Sequence, residues 1–202
     1  EFCHRYDISR STVRQAINEL ERDGYIYKKR GKGIFVSPKI LKQDLLKFYS
    51  FTEEIKKLGK NPTSKTMNFE VINDVKIANR MNIPINEKLY KFTRLRLADD
   101  EPVIIETSYL PIKRFPNLTK EKLNHKVMYE IFTKEYGVVF SKAEEIFRPV
   151  NTRAHEAKIL NIKSDIPSMM VERYAYEDNQ IIIYSVNIAR GDKFVYRVIL
   201  DK

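Results

Sequence analysis

The sequence predicts an α+β protein in two unequal parts: a small basic head made of a helix and a hairpin, then a larger domain built on an antiparallel sheet. Three observations carry this prediction. Residues 10 to 23 place apolar or small side chains at helical spacing, and two short alternating runs follow around glycines. Residues 75–109 are echoed by residues 155–187 at a constant offset of 79, and both copies alternate as strands do. The 202 residues, 43% of them hydrophobic, suffice for one sizeable core with a small one beside it.

Charge narrows the partners. With 37 Lys+Arg against 27 Asp+Glu the net charge is +10, which suits a polyanion such as nucleic acid or an anionic membrane surface. No apolar run approaches the roughly 18 to 20 residues of a membrane span, and no signal-like segment opens the chain, so a cytoplasmic protein with no membrane partner is expected. The single Cys3 excludes an internal disulfide framework and a cysteine-based zinc cluster. His4, His125 and His155 show no metal-ligand spacing, so neither a metal nor another cofactor is expected.

The head comes first. Val13, Ala16, Ile17, Leu20 and Gly24 form one stripe of a helix over 10 to 23, with Ser9 as its N-cap and Gly24 as its stop. The other face carries Arg10, Ser11, Thr12, Arg14 and Gln15 around the helix start. Such side chains hydrogen-bond phosphates and base edges when a helix N-terminus enters the major groove. Tyr25 to Lys29 and Ile34 to Val36 then read as two short strands joined through Arg30-Gly31-Lys32-Gly33. Four of the six residues from Lys28 to Gly33 are basic, and the two glycines permit close backbone approach to a phosphate chain or minor groove. A basic helix or a basic hairpin alone is what any solvated face shows; their succession points to DNA.

The stretch "ISRSTVRQAINELERDGYIYKKRGKGIFV" resembles the second half of the winged helix-turn-helix domain of GntR-type bacterial transcription regulators. That resemblance rests on S-R-x-T-V-R-x-A, L-x-x-x-G and the R-G-K-G-x-F-V wing. It implies DNA contacts by Arg10, Ser11, Thr12 and Arg14, and a minor-groove role for Arg30, Gly31 and Lys32, with Gly33 beside them. The family carries one and a half further helices before "EFCHRYDI", so residues 1–36 are expected to be a partial domain with weak operator affinity.

Residues 37 to 47, "SPKILKQDLLK", show no pattern of a packed element and read as a linker. Phe51, Ile55 and Leu58 then share a face of a short helix closed by Gly59. In the two copies Ala78 meets Ala157, Met81 meets Leu160, Asn82 and Ile83 meet Asn161 and Ile162, and Asp99 meets Asp178. Each copy reads as helix, strand, acidic turn and strand, and the pair predicts one antiparallel sheet of approximate twofold symmetry with helices covering a face.

The copies differ where chemistry would sit. Arg94 and Arg96 are two apart on a strand, hence on one face, and Glu106 returns opposite Arg94. Their counterparts are Arg173, Ala175 and Ser185. The arginine common to both copies reads as scaffolding, and the pair as a site. Two guanidinium groups on one face repel unless an anion lies between them, and their forked donors suit a phosphate or carboxylate.

From Phe48 to Lys202 the chain resembles the UTRA effector-binding domain of the HutC branch of these regulators, which has a chorismate-lyase-like fold. The motifs are S-F-T-E-E at Ser50 to Glu54, R-L-R-L-A-D-D-E-P-V-I-I-E at Arg94 to Glu106, Tyr129, and R-G-D at Arg190 to Asp192. The resemblance implies that Phe51, Thr52, Arg94 and Arg96 surround a phosphate while Glu106 and Tyr129 address a sugar, with Ser50 and Ser185 completing the effector site. Val127, Ile183 and Ala189 stand where some aminosugar-phosphate readers have polar or aromatic side chains.

The function expected is that of a DNA-binding transcription regulator, a repressor, acting as a homodimer on a pseudo-palindromic operator and controlled by a small anionic effector, a phosphorylated sugar. Apolar strand ends "IIIYSV" and "VYRVIL" offer some support for dimerisation. The alternative, a non-DNA-binding enzyme of chorismate-lyase type, would use the arginines for carboxylates but has no general acid or base beside them and no purpose for the head. An RNA-binding protein fails on the second half, whose aromatics alternate as strand core rather than forming a stacking surface.

Overall fold

The computed structural model describes residues 2–22, 25–29, 31–36, 41–44, 51–125, 127–164 and 166–197. Among these, no helix is long and apolar enough to cross a membrane. The chain divides into two compact units, Glu1–Ile40 and Leu41–Lys202.

In the first unit, α1 (Phe2–Tyr6) and α2 (Arg10–Arg22) are joined by a turn in which Asp7 takes a positive φ of 50°. Ser9 is the N-cap as expected: its Oγ accepts from the backbone N–H of Thr12 at 3.1 Å. The expected apolar stripe is only partly realised. Val13 and Ile17 are half-buried, whereas Ala16 and Leu20 are exposed and no residue of α2 is fully buried. The reason is the scarcity of cover: among the described residues, this unit offers the stripe only a five-residue helix and a hairpin. The hairpin pairs β1 (Ile26–Lys29) with β2 (Gly33–Val36), Lys29 facing Gly33. Its turn needs glycine, since Gly31 and Gly33 have φ of 74° and 105°. Gly24, expected as the helix stop, and Arg30 lie outside the described residues.

The second unit opens with β3 (Leu41–Asp44), which pairs in parallel with β10 (Phe194–Arg197). This corrects the linker reading, because residues 41–44 make a strand pairing within the span expected to carry no packed element. No side-chain alternation announced it; a four-residue strand held by backbone bonds to a partner some 150 positions later leaves no local signal.

α3 (Phe51–Lys57) follows, with Phe51 and Ile55 buried and Gly59 at φ 72° just after it. Then come β4 (Pro62–Ile72), α4 (Val75–Met81), β5 (Leu89–Ala98), β6 (Glu101–Pro111), α5 (Lys120–His125), α6 (Met128–Tyr136), β7 (Lys142–Asn151), α7 (Ala154–Leu160), β8 (Pro167–Glu177) and β9 (Gln180–Arg190). The six long strands form one antiparallel sheet in the order β4-β5-β6-β9-β8-β7.

The duplication is wider than the sequence showed. At the same offset of 79, β4 corresponds to β7 and α3 to α6, beyond the helix-strand-strand units already noted. The helices α4 and α7 end alike, on Asn82 and Asn161 in the left-handed conformation with near-identical φ, and both acidic turns begin on a left-handed Asp99 or Asp178. Register shifts fall at equivalent places, between Arg96 and Leu97 and between Ala175 and Tyr176. At the centre Thr107 pairs with Val186, positions separated by the offset itself, so the pseudo-twofold axis passes between them.

Helices lie over both sheet faces rather than one. Met81 of α4 packs with Leu89 and Tyr184 on one side, and α7 lies over β6. On the other side, Leu123 of α5 and Met128, Ile131 and Phe132 of α6 join Phe92, Leu110 and Ile183, while Phe51 and Ile55 of α3 pack with Ile104 and Ala189. The run "IIIYSV" lies in central strand β9, with Ile182, Ile183 and Tyr184 buried, which removes it as a dimerisation surface.

The R-G-D motif is a latch in this fold. Arg190 pairs with Asp192 at 2.8 Å and donates to the carbonyl of Pro102, and the Gly191 N–H donates to the carbonyl of Pro167 at 3.1 Å. A Cβ on Gly191 would stand 2.5 Å from that carbonyl oxygen. Gly191→Ala is therefore expected to lower stability by about 1–3 kcal/mol, read as a lower urea midpoint with unchanged slope; an unchanged midpoint would show that the latch yields freely.

Candidate functional site

On β5, Arg94 and Arg96 point to the face covered by α3, α5 and α6. Both are buried, Arg94 to 1% exposure and Arg96 to 6%. Glu106 sits directly across from Arg94 on β6. Nη2 of Arg94 donates to both Glu106 oxygens, at 2.8 and 2.9 Å, and Nη1 of Arg96 donates to Oε2 at 3.3 Å. Ser108 supplies a further hydroxyl at 3.3 Å. Burial pushes the Glu106 carboxyl up, but the charges of Arg94 and Arg96 together with the hydrogen bonds from Arg94 outweigh it and hold the group below its ordinary value.

The remaining expected residues gather at the same place. Arg96 lies over the Phe51 ring at 4.5 Å, and its Nη2 donates to Thr52 Oγ1 at 3.4 Å. Tyr129, on α6, and Ser185, on β9, line one cavity with Arg94, Arg96 and Glu106. Burial drives the Tyr129 hydroxyl up, so it remains a neutral donor near neutral pH. Ser50 lies outside the described residues.

This cavity has a volume of about 60 Å³, room for a few waters. A more open groove of about 380 Å³ lies on the other side of the same two arginines, lined also by Thr52, Ser64 and Asn124, with Val127 and Met128 common to both. Nε of Arg94 is buried here without a hydrogen bond, and so is Oγ1 of Thr66, which sits across from Arg94 on β4. An unmatched donor on Arg94, which lines both the cavity and the groove, is a group that a bound molecule could satisfy.

Sequence reasoning assigned Arg173 to the scaffold. The structure instead places it on the cavity wall, 5.7 Å from the Tyr129 ring, with Nε 3.4 Å from a Glu145 oxygen on β7. Glu145 is held above the ordinary carboxyl range because burial outweighs the pull of Arg173. Asn187 and Tyr196 complete this side. The overlooked signal was the repeat itself: a residue equivalent to Arg94 across a twofold axis must face the same side of the sheet.

In the first unit, Arg10, Ser11, Thr12, Arg14 and Gln15 are all exposed. Ser11, Arg14 and Gln15 share an open groove along α2 with Asn18, Glu19 and Arg22. Ser11 and Thr12 bond to Ser9 and so are oriented at the helix start. Gly31, Lys32 and Gly33 are exposed at the hairpin tip, and Lys28 ties the hairpin to α2 through Asn18 and Glu21. Among the described residues no cluster of three or more His, Cys, Asp or Glu could hold a metal ion.

A helix-turn-helix with a basic hairpin, joined to a duplicated sheet enclosing a cationic cavity, defines a regulator with a DNA-reading head and a ligand-sensing body. Comparison with known families agrees. Residues 57–195 match the UTRA domain, and residues 1–36 match the bacterial regulatory proteins of the gntR family. The chain belongs to the UTRA-bearing GntR family of bacterial transcription regulators.

It is 29% identical to the HTH-type transcriptional repressor NagR of Bacillus subtilis, across 100% of this chain and 84% of that protein. It is 24% identical to the mannosyl-D-glycerate transport/metabolism system repressor MngR of Escherichia coli, across 98% of this chain and 82% of the other. The crystal structure of PhnF from Mycobacterium smegmatis shares the fold, with a TM-score of 0.82 at 23% identity, covering 98% of this chain and 88% of that one. NagR and MngR are transcriptional repressors, not enzymes, which disposes of the lyase alternative.

Because Glu106 joins two buried cations, Glu106→Gln should cost about 3–5 kcal/mol at pH 7. Its depressed titration means that the carboxylate's contribution is present above the unfolded value of 4.5 and is lost as pH falls through the lower folded value. Urea curves of wild type and variant should therefore draw together as pH is lowered below 4.5; a gap that does not narrow would deny the ionic origin.

Proposed function

We propose that the chain is a repressor whose residues 1–36 read operator DNA and whose residues 48–202 bind a small anionic metabolite, a phosphorylated sugar, within a homodimer. The observation that carries the effector reading is the charge at the cavity wall. Two buried guanidinium groups share one carboxylate, so the Arg94, Arg96 and Glu106 cluster retains a net positive charge in a low-dielectric site. A phosphoryl group placed between Arg96, Thr52 and the groove beyond would complete that balance, and Phe51 would close one side. Ser50, Tyr129 and Ser185 belong to the same proposed site, Glu106 acting both as clamp for the arginines and as acceptor for a sugar hydroxyl. Repression follows the relatives, which carry the word repressor in their names.

For the head, Arg10, Ser11, Thr12, Arg14 and Gln15 present donors at the start of α2, and Arg30, Gly31, Lys32 and Gly33 are assigned to the wing. Phosphate neutralisation by these cations makes operator affinity steeply salt-dependent. Linkage requires that operator DNA alter effector affinity by the same factor as effector alters DNA affinity.

Arg96 is the better probe of the site, since Arg94 is locked by both oxygens of Glu106. Arg96→Ala should fold and should lose about 1.5–3 kcal/mol of the stabilisation that phosphorylated sugars confer, read as a reduced thermal shift. Unchanged shifts would place the effector elsewhere. In a full-length version, Arg14→Ala should abolish retardation of operator DNA in a gel-shift and leave the thermal shift by effector intact; undiminished retardation would remove α2 as the reading helix.

A further inference from the structure

The cavity straddles the pseudo-twofold axis of the sheet, so it consists of two half-sites that have diverged. One row across the strands reads Thr66, Arg94, Glu106 and Asn187; the row related to it by the axis reads Glu145, Arg173, Ser185 and Ser108. Arg94 and Arg173 thus face one cavity from opposite ends, and both act on the ionisation of Glu106 and of Tyr129 between them. The first half-site adds a second cation, Arg96. The second has Ala175 at that position and a carboxylate, Glu145, on the outer strand beside its arginine. One end is built for an anion. The other presents a donor and an acceptor side by side.

We propose that Arg173 and Glu145 are specificity-determining residues that read hydroxyl or amino groups on the body of the phosphorylated ligand whose anionic group Arg94 and Arg96 hold. This rests on the effector reading of the cavity. A hydroxyl accepts from a guanidinium and donates to a carboxylate, so it satisfies both groups at once. A second phosphate there would meet Glu145, and an isolated ammonium would meet Arg173. Strands β5 and β8 are three spacings apart, about 14 Å at the backbone. The assignment also accounts for Val127 and Ile183, apolar walls in a pocket whose polar recognition would lie on β7 and β8.

The test compares inorganic phosphate, glucose 6-phosphate and glucosamine 6-phosphate by calorimetry and thermal shift on the wild type and on Arg173→Met/Glu145→Leu. Exchanging a buried ion pair for apolar residues of similar volume generally preserves folding. The wild type should bind one of the sugar phosphates about tenfold or more tightly than inorganic phosphate. In the double variant that advantage should vanish while affinity for inorganic phosphate stays within about twofold. Glu145→Gln, which keeps the shape, should weaken glucosamine 6-phosphate about fivefold and leave inorganic phosphate unaffected. A sugar-phosphate advantage undiminished in these variants, or no advantage in the wild type beyond inorganic phosphate, overturns the proposal alone. A wild type indifferent to all three compounds sinks the effector reading and this inference with it.

Discussion

The carboxylate of Glu106 between the guanidinium groups of Arg94 and Arg96 is the constraint on which the effector domain is organised. Burying two cations side by side in a sheet is costly by several kcal/mol per ion unless they are paired and hydrogen-bonded. Strand geometry supplies the pairing. Register sets Glu106 across from Arg94, the alternation of β5 brings Arg96 to the same face two residues on, and the bulge just after Arg96 ends the regular ladder there. The expected repulsion between the two arginines is therefore answered from within the protein. One negative charge nevertheless faces two positive ones within this cluster, and the proposed binding of an anion rests on that excess.

Much of this was legible in the sequence. The spacing of Val13 and Ile17 and the N-cap Ser9 located α2, the glycines located the hairpin turn, and the repeated Asn-Ile and Asp positions located equivalent helix ends and turns. Each of these is a local requirement of backbone conformation or periodicity, which a sequence states directly. The pairing of Arg94 with Glu106 was legible for the same reason, because a tight turn between adjacent strands fixes register. What escaped notice depends on partners far away in the chain. The strand Leu41–Asp44 exists because β10 lies beside it, and the exposure of Ala16 and Leu20 reflects what is available to cover them, not their own pattern. The equivalence of α3 with α6 and of β4 with β7 was hidden because those copies kept their shape and lost their resemblance.

Where the copies kept residues and where they changed them follows a physical division. Asn82 and Asn161, or Asp99 and Asp178, occupy left-handed backbone positions that most side chains tolerate poorly, so the scaffold restricts what can stand there. Thr66 against Glu145, Arg96 against Ala175 and Glu106 against Ser185 lie on one sheet face around the axis, where the backbone is ordinary strand and side chains are free to differ. A duplicated sheet thus begins with two equal half-sites and can specialise them independently without disturbing register. In this chain one half has concentrated positive charge and the other has acquired a carboxylate, which makes the pocket directional. On the proposed effector reading, a ligand would have only one orientation in which its anion meets both Arg94 and Arg96, and a directional fit of that kind would let a small domain distinguish one metabolite from others with the same charge.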